Sequence, residues 1–353
     1  MWMRSILFAC LLGGLTLWAY QSTRTAEWVY EDRATLTSAT QAPGGWLTQR
    51  SLSNWTWRLT PTPSSAHLVS LALHLLIGGL VGLAAWRFGV TSLGAWVAAA
   101  VWLLLPLTGE LAAYAKARAD ELVLVGVLLA AIAATGRWWR GWALVGIVAG
   151  GIVAVGAKQA GVVVLLLVPL VIWARHRTNR EAPWWAPWWG PAVVAGVVAV
   201  TGMQWYGGLR SLVNADSEVG IAMAVDVTWW QWALAQTAAV WYWLMAAVWP
   251  AFVTPDVDVD RLNGLASWMG AFALLTCAWA CWTLRTRHPA VSLSCGWIVC
   301  GVLPRLLIQT PRSYLSAAQF GVACVGLTLL AGIGVQRLRD HWVASSSGLS
   351  ATL

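Results

Sequence analysis

The chain has 353 residues, with 22 Lys and Arg against 14 Asp and Glu, and 59% of it is hydrophobic. Charged residues make up 10%, against about 25% in an ordinary soluble domain, which excludes a soluble enzyme and a disordered chain. A net charge of +8 on a soluble protein would suggest nucleic acid. Here the basic excess follows from topology, and no nucleic-acid partner is expected. The expectation is a polytopic all-α membrane protein.

In chain order, Met1 to Tyr20 holds one arginine, Arg4, and then an apolar run. Ala19-Tyr20-Gln21 lacks a small-x-small cleavage pattern, so the segment reads as a retained first helix rather than a cleaved signal. A crossing needs roughly 20 apolar residues. Spans are predicted at about 3–20, 66–86, 90–107, 121–136, 141–157, 160–174, 187–206, 263–284, 290–309 and 315–336, about ten crossings in all. The run from Trp229 to Val253 reads as a helix lying in or dipping into the outer interface and ended by Pro250 and Pro255. A single further crossing there would reverse the charge pattern downstream. The 29 tryptophans suit an interfacial belt.

Sidedness follows from the basic residues. The short loops on the amino-terminal side hold Arg4, Arg87, Arg137, Arg140, Arg175, Arg177, Arg180, Arg285, Arg287, Arg337 and Arg339, with only Glu181 and Asp340 as acids. That side is expected to be cytoplasmic, with both termini on it. All other acids, both lysines and every tyrosine fall on the opposite face, which also owns the long loops at about 21–65 and 207–262. With 108–120, these loops are where a site is expected. Residues 1–340 form one transmembrane domain, and 341–353 a short polar cytoplasmic tail. The cysteines all lie in apolar stretches without zinc spacing and read as small core residues.

Several constellations carry chemistry. Glu31 and Asp32 are adjacent carboxylates just beyond the first helix. Such a pair repels itself, which suits a general base or a divalent cation, because hard cations take oxygen ligands. From Glu110 a helix would align Glu110, Tyr114 and Arg118 on one face at i, i+4 and i+8, with Lys116 and Asp120 as a second pair. Lys158, followed by Gln159, is an ammonium between two spans; it can snorkel to the interface or meet a lipid phosphate. Arg305 lies in an apolar span beside Pro304, and Arg312 follows beyond Pro311. Guanidinium groups engage two phosphate oxygens at once.

The order of these pieces resembles the GT-C membrane glycosyltransferases, nearest the transmembrane-and-tetratricopeptide-repeat O-mannosyltransferase branch. Glu31-Asp32 stands where that branch has Asp-Asp. Arg50-Ser51-Leu52 and His67-Leu68-Val69-Ser70-Leu71-Ala72-Leu73-His74 look similar to its next stretches. The pattern Pro106, Glu110, Tyr114, Arg118, Asp120 keeps the family spacing without a gap. Lys158-Gln159, then Gln236, Tyr242, Pro250 and Asp256 or Asp258, and finally Arg312-Ser313-Tyr314-Leu315 are looser matches. Glu31, Leu105 and Gln159 depart from the family's Asp, His and Glu, and a short polar tail follows Arg337 where the family carries its repeats.

The resemblance implies a GT-C-like fold and an inverting transfer of a sugar from a polyprenyl-phosphate donor to an acceptor hydroxyl on a protein or glycan, at the outer face of the cytoplasmic membrane. Asp32 or Glu31 would be the base, Arg305, Arg312, Lys158 and Arg118 would hold the donor phosphate, and Glu110, Tyr114, Asp120, Gln159, Gln236 and Tyr314 would line the site. A divalent cation is an open part of this expectation. The rival readings are a polyprenyl-lipid or small-solute transporter, which would place ionisable groups within the spans, and a non-catalytic scaffold subunit. The topology is directly testable. A reporter fused after Arg180 or at Leu353 should read as cytoplasmic and one within 30–60 as external; an external signal at Leu353 would overturn the span assignment.

Overall fold

A computed structural model describes residues 2–28, 32–41, 51–136, 140–178, 229–249, 264–307 and 317–350. Among these the chain is helical, with no strand. The helices are α1 (Trp2–Ala19), α2 (Asp32–Gln41), α3 (Ser51–Leu59), α4 (Pro63–Arg87), α5 (Ser92–Leu104), α6 (Pro106–Ala113), α7 (Arg118–Ala134), α8 (Arg140–Ala157), α9 (Val164–Thr178), α10 (Trp229–Val248), α11 (Gly264–Thr283), α12 (Pro289–Leu307) and α13 (Ala317–Ser350). Short 3-10 turns cover Gln21–Thr25, Ala115–Ala117 and Gln159–Val163.

Among the described residues four helices are long and apolar enough to cross a membrane: Pro63–Arg87, Gly264–Thr283, Pro289–Leu306 and Ala318–Ser346. The α5–α6 pair makes a fifth if its two halves, bent by 59°, are taken as one span. Apolar stretches at Ile6–Ala19, Trp142–Ala157 and Ala160–Ala174 are shorter, and the expected span at 187–206 lies outside the described residues. The expected run at 90–107 is thus corrected to a broken pair. Pro106 has no N–H to give the Trp102 carbonyl, so the helix stops at Leu105, whose backbone is extended. The Thr108 hydroxyl supplies the missing bond, reaching the Trp102 carbonyl at 2.5 Å.

The start of α4 is well specified. Thr62 caps it, Pro63 occupies the first turn, and Thr62 and Ser65 complete a reciprocal capping box. At the centre lies α7, with Val123, Leu124, Val127 and Leu128 essentially buried. A helix apolar on every side belongs inside a bundle. It packs against α4 on one side and α8 on the other.

Small residues make that packing possible. A Cβ on Gly126 would strike the backbone of Gly150 and Ala154, and one on Gly150 would strike Gly126 and Ala130. The two glycines, each four residues before an alanine, let the backbones of α7 and α8 touch, as small-x-x-x-small pairs do between helices in lipid. Gly94 of α5 and Gly332 of α13 meet in the same way, and Gly270 of α11 abuts the Thr237 carbonyl of α10.

The Trp229–Val253 expectation resolves into α10, a helix packed along α11 and touching α12, α13 and α6, a working member of the bundle. Pro250 and Pro255 lie outside the described residues. The last helix, α13, runs beyond the expected span and continues through the polar tail as far as Ser350. All six cysteines are free thiols.

Gly150→Leu should force α7 and α8 apart and lower stability in detergent by about 1–3 kcal/mol or more, the cost of overpacking. Gly79→Leu, which meets only open space, should leave the melting temperature unchanged. Equal melting of the two variants would contradict the close approach.

Candidate functional site

At the end of the bundle where α4 and α7 begin, α2 and α3 build a small second core. Ala39, Trp57, Ala66 and Ala115 are buried together, with Trp28 and Leu36 against them. Arg58 Nε donates to the Ala39 carbonyl at 3.0 Å, tying α3 to α2.

Arg118 joins this cap of α2 and α3 to the bundle. Its guanidinium is fully buried, donating from Nη1 to Thr60 Oγ1 at 2.7 Å and from Nη2 to the Ala66 carbonyl at 2.9 Å. It also lies over the Trp57 ring, 4.5 Å from the centroid. A guanidinium so engaged gains both charge-assisted hydrogen bonds and cation–π attraction. Both terminal nitrogens of the guanidinium are thus engaged by protein partners, where the resemblance implies a donor phosphate.

Asp32, at the start of α2, is likewise buried, and its Oδ1 accepts from the Lys116 backbone N–H at 2.9 Å. A helix N-terminus and a backbone donor both favour a carboxylate there. Lys158 has a protein partner. Its Nζ donates to both oxygens of Asp120, at 2.8 and 2.7 Å, in a largely buried ion pair. Lys158 therefore holds α8 to α7, and its charge is already matched by a carboxylate.

The expected single helix from Glu110 is corrected too. It breaks at Tyr114, whose backbone is extended (φ −103°, ψ 105°), and a 3-10 turn leads into α7. Glu110, Tyr114 and Arg118 do not share one face, and Asp120 pairs with Lys158 instead of with Lys116. The break has a use: it exposes the Lys116 N–H to Asp32.

Gln236 is buried in α10, with neither amide atom hydrogen-bonded. One turn earlier, Trp232 Nε1 donates to the Arg305 carbonyl at 3.0 Å, near the end of α12. Gln236 and Arg305 thus lie on a second pair of elements, which meets the first through α6. Gln159 opens the 3-10 turn after Lys158. Glu31, Arg312 and Tyr314 lie outside the described residues. No three His, Cys, Asp or Glu side chains among the described residues are grouped to hold a metal ion.

Sequence reasoning missed Glu121. It is completely buried in the first turn of α7, with both carboxylate oxygens lacking a hydrogen bond. Its signal was an acid inside the limits of an apolar span; treating it as the span's boundary concealed it.

If Lys158 serves the Asp120 pair, Lys158→Ala should destabilise the protein by about 3 kcal/mol, the lower end for breaking a buried ion pair. The double change Lys158→Met with Asp120→Leu should recover most of that loss, as measured by thermal unfolding in detergent. A single variant as stable as the parent would free Lys158 for another role. Comparison of the chain with protein-family models, with curated proteins and with solved structures finds no match.

Proposed function

We propose that the chain is a membrane glycosyltransferase of GT-C-like architecture, with about ten crossings, that transfers a sugar from a polyprenyl-phosphate donor to the hydroxyl of a protein or glycan acceptor. The reaction takes place on the outer face of the cytoplasmic membrane, and both termini are cytoplasmic. The observation that carries the reading is convergence. Asp32, Arg118, Asp120 and Lys158, which carry the resemblance, lie at one end of the bundle although Asp32 and Lys158 come from chain segments far from the Arg118–Asp120 turn.

In this reading Asp32 is the base and Glu31 stands beside it in sequence. The acceptor hydroxyl gives its proton to the carboxylate as its oxygen attacks the anomeric carbon from the face opposite the phosphate. The bond from that carbon to the phosphate oxygen breaks, and the lipid phosphate leaves with the electron pair, inverting the centre. Arg118 and Lys158, committed to Thr60, Ala66 and Asp120, build the wall of the site. Holding the leaving phosphate falls to Arg305 and Arg312, and stabilising that charge is where a preorganised cation lowers the barrier.

One observation favours the transporter reading: a buried intramembrane carboxylate, here Glu121, is a frequent mark of ion or proton pathways. The two are separable in vesicles loaded with a fluorescent polyprenyl-phosphate sugar. A transferase consumes the donor only when acceptor is supplied, whereas a transporter moves it between leaflets without acceptor.

Asp32→Asn preserves the acceptor atom facing Lys116 and should keep the melting temperature. It should lower transfer by roughly 100-fold or more, the scale of general-base catalysis. Full transfer by a folded Asp32→Asn protein would remove Asp32 as the base.

A further inference from the structure

The interface between α4 and α7 contains polar atoms that neither the cap nor the transferase reading uses. Along α4, His67, Ser70 and His74 follow at i, i+3 and i+7 and are all fully buried. They therefore form one stripe about 10 Å long, at 1.5 Å per residue. Across from them α7 contributes Glu121, whose carboxylate approaches Ser70, and Arg118. Trp102 of α5 lies beside His74, ring centroids 6.0 Å apart.

The hydrogen-bond inventory of this seam is unbalanced. His67 Nε2 faces the Glu27 carbonyl and His74 Nε2 faces the Leu103 carbonyl, each at 3.4 Å. A carbonyl only accepts, so each Nε2 carries the proton and each Nδ1 is a bare acceptor. Both Nδ1 atoms lack partners, as do the donors Arg118 Nε and Trp102 Nε1, and the Glu121 carboxylate has only the Ser70 hydroxyl beside it. Four acceptors thus outnumber the two fixed N–H donors, with one hydroxyl besides. Leaving even one such group bare in an apolar interior costs about 1–3 kcal/mol. A small molecule able to give two protons to hydrogen bonds and accept as well would correct the imbalance.

We propose that the α4–α7 seam is an internal water site: a short file of water molecules anchored on Glu121 and Ser70 and reaching from His67 Nδ1 to His74 Nδ1. Buried waters occupy places with two to four polar partners, and the seam supplies them about one helical turn apart. The file gives the Glu121 carboxyl contact with water inside the bundle. It stands whether the protein is a transferase or a transporter.

The test is pulsed hydroxyl-radical labelling of the full chain in lipid nanodiscs, in which radicals form from water and modify the side chains that touch it. Trp297 is the dry control, fully buried with its Nε1 bonded to the Val322 carbonyl. His67 and His74 should be labelled at least about tenfold faster than Trp297, because bound water lies against them. Glu121→Leu and, separately, Ser70→Val should each lose most of the labelling at His74, while Glu121→Gln, still polar, should retain it. If Glu121→Leu does not fold, Ser70→Val carries the same comparison. His67 and His74 as slow as Trp297 would show a dry seam and overturn the proposal. So would labelling at His74 that survives in a folded Glu121→Leu or Ser70→Val protein. Trp297 labelled as fast as the histidines would point to opening of the whole bundle, and would overturn it as well.

Discussion

Arg118 is the charge around which one end of the molecule is built. A guanidinium brought into an apolar bundle needs acceptors for its N–H groups, and two acceptors come from residues more than fifty positions earlier. Once its head is fixed between Thr60, Ala66 and Trp57, the helix that starts at Arg118 has a set rotation. Glu121, three residues on, then faces α4, and Asp120 is turned toward Lys158 on the other flank. The cap formed by α2 and α3, the entry of α7 and its attachment to α8 are all consequences of one side chain's demand for partners.

The second constraint is close approach. Between helices in lipid there is little hydrophobic gain from association, so contact must come from fit. Gly126 and Gly150 bring two backbones together where any side chain would hold them apart. This fit carries the Asp120–Lys158 pair: with α7 and α8 a side chain's width further apart, the ammonium would not reach both oxygens. Pro106 acts in the opposite sense, ending a helix and leaving a carbonyl that the Thr108 hydroxyl then meets. Close packing and deliberate breakage lie one helix apart, and the polar end of the bundle needs both.

Much of the helical layout was legible because apolar runs and their flanking charges are local signals. The limits of α4, α11 and α12 fall within a few residues of the expected spans. The charged residues Asp32, Arg118, Asp120 and Lys158 stood out too, in a chain with few charges. Their partners were not. Nothing in the spacing of Lys158 and Asp120 says that they meet, since that depends on the glycine contact between α7 and α8. The helix expected from Glu110 onward matched the i, i+4 pattern, yet Tyr114 adopts an extended backbone, and this tertiary choice gives Asp32 its backbone donor. Glu121 was hidden for a different reason: an acid at the edge of an apolar run looks like a boundary, and only packing shows it to be interior.

The Asp120–Lys158 pair also bears on the order in which the chain can be made. Arg118 emerges from the ribosome after Thr60 and Ala66, so its receptor is already present. Asp120 emerges 38 residues before the lysine that neutralises it, an interval of roughly 2–8 s at ordinary rates of synthesis. During that interval α7 carries an unmatched carboxylate on the flank later covered by α8. The nascent helix must therefore wait at a wet surface or inside the insertion machinery, and entry of α7 into its final seat becomes coupled to the arrival of α8. The two helices are a unit of assembly as well as of packing.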